Sequence, residues 1–279
     1  MTADDRREDP RKVVDPPCVD VGVDVVGRLR AAGCVFAEDE AALLVEAAAS
    51  PSELAELVAR RVEGTPLEHL LGWVDFCGLR VAVGAGVFVP RRRTELLVRE
   101  ARRLLGARLA PTSAVVVEMC CGVAAIGAAL LADPGEVDLF AVDVDPVAVV
   151  WARRNVAVPQ HVYQGDLFAP LPPDLRGRVD VVVANAPYVP TEAIALMPPE
   201  ARLYEPAVAL DGGSDGLEVQ RRVIVQAPHW LRPGGHLVIE TSERQASGTA
   251  AAMAAQGFTT RIVRDDDLDG TAVTGTLPG

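Results

Sequence analysis

From Thr94 to the C-terminus, short apolar and β-branched runs alternate with segments of helical period, and this alternation constrains the fold more than any other feature. The spacing predicts helix 95–105, strand 114–118, helix 124–131, strand 137–142, helix 146–156, a short strand 161–164 and strand 179–184. It continues with helix 217–231, stopped by Pro233-Gly234-Gly235, then strand 236–240, helix 243–255 ending at Gly257, and two last strands, 259–263 and 271–276. Strands and helices at this spacing pack as a mostly parallel, doubly wound α/β sheet. Right-handed crossovers then place a ligand at the C-terminal strand ends, near the topological switch point.

Upstream the period changes. From about Val21 to Val62, apolar residues recur three and four apart, as in Leu43, Leu44 and Ala47, then Leu54, Leu57 and Val58. Ser50 suits a helix cap and Pro51 a first helical position. The helical pattern breaks at Gly64-Thr65-Pro66. Two β-rich runs, Phe76 to Val83 and Val87 to Val89, flank a turn at Gly84 to Gly86 and read as a hairpin. The expected organisation is a tail over 1–15, a small helical domain over 16–75, a linking hairpin over 76–93 and the large α/β domain over 94–279. With 279 residues, 49% of them apolar, a core of this size can be buried.

Composition excludes several classes. The formal net charge is −12, and duplex binding draws on Lys and Arg neutralising phosphates, so direct nucleic-acid binding is not expected. Arg91-Arg92-Arg93 is a local exception, either a solvated cluster or a substrate contact. Cys18, Cys34, Cys77, Cys120 and Cys121 are scattered without a Cys-x-x-Cys pair, which argues against a disulfide framework or a metal site. Cys120-Cys121 follows an apolar strand and reads as a pair of small turn residues rather than a redox pair. No apolar run approaches the ~18–20 residues of a membrane span, and Met1 to Asp15 lacks the apolar region of a signal peptide. A cytoplasmic protein with no membrane partner is the expectation.

The strand ends carry the chemistry. The first closes with Val117-Glu118-Met119-Cys120-Cys121-Gly122 and opens a helix, where small residues let a ligand approach backbone N–H groups. The second ends in Asp143, the usual place of an acceptor for ribose hydroxyls, while Asp145 before Pro146 reads as a helix cap. After the third come Gly165-Asp166-Leu167-Phe168, an acid able to receive an adenine amino group with apolar neighbours to cover the ring. The fourth, Val179 to Ala184, runs into Asn185-Ala186-Pro187-Tyr188. Asn and Pro alone suit any turn, but an aromatic directly after them, at this strand end, points to a held nitrogen.

With these residues in place, the chain resembles class I methyltransferases, and specifically the HemK/PrmC protein-(glutamine-N5) methyltransferases. The similarity runs from about Pro66 to the C-terminus. It includes Pro66-Leu67-Glu68-His69-Leu70-Leu71-Gly72, Phe76-Cys77-Gly78-Leu79, Val87-Phe88-Val89-Pro90-Arg91 with Thr94-Glu95, Gly165 to Phe168, Tyr204-Glu205-Pro206, and Ala209 to Leu217. It implies a Rossmann-like seven-stranded sheet, S-adenosyl-L-methionine as cofactor, and methylation of a protein glutamine in the Gly-Gly-Gln loop of peptide chain release factors by a monomer. The resemblance assigns the acceptor nitrogen to Asn185, Ala186, Pro187 and Tyr188. It assigns the cofactor to Glu118, Cys120, Gly122, Asp143, Val144, Asp166, Leu167 and Asn185, and substrate contacts to Phe88, Arg91 and Glu205.

Three departures accompany it. The family's Asn-Pro-Pro-Tyr has Ala186 at its second position. The cofactor turn, normally with three glycines, keeps only Gly122, between Cys120 and Ala124. The family's Pro-Arg-Pro-Asp/Glu-Thr-Glu becomes Pro90-Arg91-Arg92-Arg93-Thr94-Glu95. Ala186 keeps the carbonyl that a proline would offer and is biased to extended geometry by Pro187, so the motif is expected to work. The lost glycines predict a weaker but real cofactor site. Alternatives are another protein amide or a small molecule as acceptor, an adenine-N6 nucleic-acid methyltransferase, and an inactive binding protein.

Overall fold

A computed structural model describes residues 24–106, 113–133 and 137–279. The expected tail over 1–15, Cys18 and the first residues of the helical domain lie outside the described residues. The chain divides into two compact units, Met1–Val62 and Glu63–Gly279.

In the first unit, α1 (Val25–Ala31), α2 (Ala37–Ala47) and α3 (Pro51–Val62) bury Leu29, Leu44, Leu54 and Val58. Their three-and-four spacing puts these side chains on inward helix faces. Ala47, by contrast, is exposed. Ser50 Oγ accepts from the Glu53 amide at 3.2 Å, as a cap at this position should. Arg61 and Glu40 form a part-buried pair at 2.6 Å.

The second unit opens with α4 (Leu67–Leu71) and a hairpin of β1 (Trp73–Phe76) and β2 (Leu79–Ala82). This corrects two expectations. The helical region does not reach 75, and the hairpin turns at Cys77-Gly78 instead of Gly84–Gly86. Both turn residues have positive φ, 52° and 76°, the geometry of a two-residue turn matched to strand twist. Gly84 instead abuts the Trp151 ring, where a Cβ would lie 2.2 Å from it.

The remaining elements are α5 (Glu95–Gly106), β3 (Ala114–Met119), α6 (Ala125–Leu131), β4 (Val137–Asp143), α7 (Pro146–Asn155), β5 (Val162–Gln164) and β6 (Val179–Ala184). After them come α8 (Pro199–Tyr204), α9 (Ala207–Leu210), α10 (Glu218–Gln226), β7 (Leu231–Glu240), α11 (Ala246–Ala255), β8 (Thr259–Asp265) and β9 (Gly270–Thr276). The seven-stranded sheet has the order β5-β4-β3-β6-β7-β9-β8. β5 to β7 are parallel, and β9 is antiparallel to both β7 and β8.

Alternate residues of the central strands feed opposite cores. Val116, Val181, Val183 and Val238 face α5, α6 and α7, while Val117, Val182, Leu237 and Ile239 face α10 and α11. A parallel strand covered on both faces must be apolar throughout, and every residue of β6 is buried. Asp180 is its one charge, held by Arg232 Nε at 2.6 Å and accepting from the Val115 amide at 2.8 Å.

The expected helix 217–231 is another correction. α10 stops at Gln226, and β7 already begins at Leu231, with Pro233-Gly234-Gly235 inside it. Pairing with β6 slips there, from Val179↔Leu231 to Val181↔His236. The segment is therefore an irregularity within a strand rather than a helix stop.

Candidate active site

β3 and β6 pair in parallel at the point where the strand order reverses, with Met119 opposite Ala184. Their C-terminal ends thus bring Cys120 and Asn185 to one edge. The cavity there is lined by all the sequence-predicted site residues: Glu118, Cys120, Gly122, Asp143, Val144, Asp166, Leu167, the run Asn185 to Tyr188, and Phe88, Arg91 and Glu205.

The turn after β3 is built on left-handed backbone. Cys120, Gly122 and Ala124 have φ of 54°, 54° and 58°, and Ala124 is the residue from which α6 starts. Ala124 is fully buried in the core and does not line the cavity, so its methyl does not crowd the site. Beyond the Cα of Gly122 there is open space. Glu118 reaches under the turn and accepts from the Gly127 amide of α6 at 2.8 Å. Burial pushes its carboxyl up to about 8, against the pull of the Gly127 and Ile126 amides.

Asp143 ties the turn to the end of β4. Its Oδ2 accepts from the Gly122 amide at 2.7 Å and its Oδ1 from the Asp145 amide at 2.9 Å. Burial raises its pKa, and these amides lower it. Each oxygen keeps a further lone pair for a ligand hydroxyl. Asp145 caps α7 through the Val147 amide at 2.8 Å, as the sequence suggested for it. Asp166 lines the cavity with its carboxylate paired to Arg222 Nη2 at 2.6 Å. Phe168 corrects the reading that both apolar neighbours cover a ring there. It is buried and stacks on Trp230, 5.6 Å between centroids, which leaves Leu167 as the apolar wall.

At the end of β6, Asn185 Nδ2 donates to Thr94 Oγ1 at 3.2 Å, so Oδ1 is the group this side chain can offer as an acceptor. Ala186 is fully buried. The Tyr188 hydroxyl donates to Glu240 Oε1 at 3.2 Å and accepts from Arg93 Nε at 3.0 Å. Burial, then the Glu240 charge, pushes its pKa up to about 12, so the phenol stays protonated. The Asp211–Leu217 loop clasps the tetrapeptide from behind. Gly212 N donates to Val189 O, Val189 N to Leu210 O, and Gln245 Nε2 to Tyr188 O at 2.9 Å.

The three arginines separate. Arg91 pairs with the buried Glu205 and lies 5.1 Å over the Phe88 ring, while Glu205 also accepts from the Val89 amide at 3.2 Å. Arg93 joins Tyr188 and Glu240, and Arg92 is exposed. Sequence reasoning did not single out Glu240 as a site residue. Its signal was an acid at the C-terminal end of a strand, the same place as Asp143.

The methyltransferase small domain model matches residues 80–200. The "Release factor glutamine methyltransferase" of Geobacter sulfurreducens is 38% identical over 217 residues, 75% of this chain and 73% of that protein. That of Mycolicibacterium smegmatis is 38% identical over 216 residues, 77% of this chain and 75% of that protein. Among solved structures, the hMettl16 catalytic domain, in complex with MAT2A 3'UTR hairpin 6, is 16% identical and covers 80% of this chain and 83% of its own, with a TM-score of 0.55. That likeness shows a shared fold alone.

Proposed function

The chain belongs to the family of release factor glutamine methyltransferases, and from that membership we propose that it methylates the side-chain amide nitrogen of a glutamine in the Gly-Gly-Gln loop of peptide chain release factors, with S-adenosyl-L-methionine as donor. The observation that carries the reading is Asn185 to Tyr188 lining one cavity with the turn after β3, with Asn185 and Tyr188 both pinned by hydrogen bonds.

The residues present fit the cofactor. The open space at Gly122 admits a close approach to backbone, and the two fixed oxygens of Asp143 match a ribose diol. Glu118, Cys120 and Gly122 would hold the amino-acid tail. Asp143 and Val144 would hold the ribose, and Asp166 and Leu167 the adenine, with Asn185 at the reacting end. When bound, this group supplies an electrophilic methyl on a sulfonium.

A carboxamide nitrogen is a weak nucleophile because its lone pair is delocalised into the carbonyl. Asn185 Oδ1 and the Ala186 carbonyl offer acceptors for its two N–H bonds, and Tyr188 packs on the amide plane and fixes its orientation. Phe88, Arg91 and Glu205 form the wall for the rest of the acceptor segment. Such positioning contributes on the order of 7–11 kcal/mol in favourable cases, so the site needs no strong base.

Mass spectrometry of release factors treated with the purified chain and cofactor tests this. A gain of one methyl on the glutamine of the Gly-Gly-Gln loop is the expected result. Factors left unmodified by a chain that binds cofactor in a calorimeter would overturn it and direct the search to other amides.

A further inference from the structure

Arg93 stands where the family carries an acid, and its guanidinium reaches behind the acceptor residues. Its Nε donates to the Tyr188 hydroxyl at 3.0 Å and to Glu240 Oε1 at 3.3 Å, and the hydroxyl donates to the same oxygen at 3.2 Å. Residues from the turn before α5, from just beyond β6 and from the end of β7 thus close a triangle at the far end of the Tyr188 ring. Glu240 is 2% exposed, and its Oε2 has no partner among the described residues. A buried carboxylate of this kind depends on a cation against it. The next residue, Thr94, holds Asn185. Two consecutive residues therefore fix both ends of the tetrapeptide.

We propose that Arg93 is a positioning residue for methyl transfer, fixing the Tyr188 ring against the acceptor amide by holding its hydroxyl at the Glu240 carboxylate. The proposal rests on the function given above. Without the guanidinium, the hydroxyl keeps one partner of two and the ring gains freedom to tilt. Displacement of a positioning group by about 1 Å can lower a rate by about a hundredfold.

Arg93→Gln is expected to lower kcat for release-factor methylation about tenfold or more, with cofactor affinity in the calorimeter changed less than about threefold. In the double variant with Tyr188→Phe the loss should not add to that of Tyr188→Phe alone, because both remove one linkage. Additive losses, or an unchanged kcat, would overturn the proposal. A readout independent of the acceptor uses carbon-13-labelled tyrosine. Of the chain's three tyrosines, the Tyr188 ring signal, identified by its absence in Tyr188→Phe, should shift and broaden in Arg93→Gln while Tyr163 and Tyr204 stay in place. A Tyr188 signal that does not move refutes the role. If the unaltered chain leaves release factors unmodified, the function fails separately, and the tyrosine spectrum still decides Arg93. Should Arg93→Gln not fold, Arg93→Lys carries the same measurements, with a smaller loss expected.

Discussion

Ala124 lies in left-handed backbone with no Cβ exposed to solvent. That conformation costs an L-residue roughly 1–2 kcal/mol, and glycine would relieve it. Glycine would also forfeit a buried methyl, about 0.8 kcal/mol, and add unfolded-state entropy worth about 0.4–1 kcal/mol. The terms nearly cancel, so Ala124→Gly should stay within about 0.5 kcal/mol of the parent in urea denaturation. Ala124→Val combines a β-branched left-handed residue with overpacking and should lose more than about 2 kcal/mol. The left-handed backbone at 120 and 124 is one that glycine adopts freely. At 124, space for the cofactor is not the constraint, which the sequence could not distinguish. Glu118 gives a second test. Its folded carboxyl titrates near 8, against 4.5 ordinarily. Between those values the folded chain keeps a proton that the unfolded chain has released. The group's contribution to stability is therefore whole below about pH 4.5 and is lost as pH rises through about 8, with a slope of at most about 1.4 kcal/mol per pH unit. The stability of the parent relative to Glu118→Gln should fall from pH 5 to 9, and a flat difference would show that Glu118 is ionised in the fold. Asn185 and Tyr188 were legible because strand, turn residues and aromatic are contiguous. Glu240 was not, because only the sheet order brings the end of β7 beside them.

At the level of elements, the alternating pattern located every strand of the large sheet, and the buried parallel strands β3 and β6 read as nearly continuous apolar runs. It misplaced connections where glycines serve more than one purpose. Gly84 reads as a turn residue but makes room for Trp151. Pro233-Gly234-Gly235 reads as a helix stop but forms a kink inside β7, beside the Arg232 that reaches back to Asp180. The loop after α9 shows the same ambiguity with a functional edge. Gly216 has φ of 74°, and a Cβ there would lie 2.3 Å from Tyr188 O and 2.2 Å from Gln245 Nε2. Backbone oxygen cannot yield as a flexible side chain can. Gly216→Ala is therefore expected to cost about 2 kcal/mol or more. It should also lower kcat, because relief of the clash moves the carbonyl of Tyr188 itself. Denaturant midpoints and single-turnover rates on the same preparation check both halves.

For the molecule as a whole, the division at Val62 separates the unit that contains the candidate cavity from a helical unit with its own small core. Both large clusters, from Val74 to Ala272 and from Val117 to Val273, lie entirely within Glu63–Gly279, as does every residue of the cavity. A fragment spanning Glu63–Gly279 therefore retains its hydrophobic interior and should fold cooperatively, with cofactor affinity within about threefold of the full chain. Its methyl acceptor is a different matter. On the proposed function the cavity would take a side-chain amide and a few neighbours, while a protein substrate needs on the order of 800 Å² of contact on each partner for stable binding. Recognition must extend beyond the cavity, and the helical unit is surface available for it. The fragment is expected to lose at least tenfold in kcat/KM on intact release factor while losing much less on a short peptide carrying the Gly-Gly-Gln loop. Equal losses on protein and peptide would show that the missing unit supports the catalytic site itself and not recognition of the protein. Unchanged rates on both would leave the helical unit without a part in substrate choice.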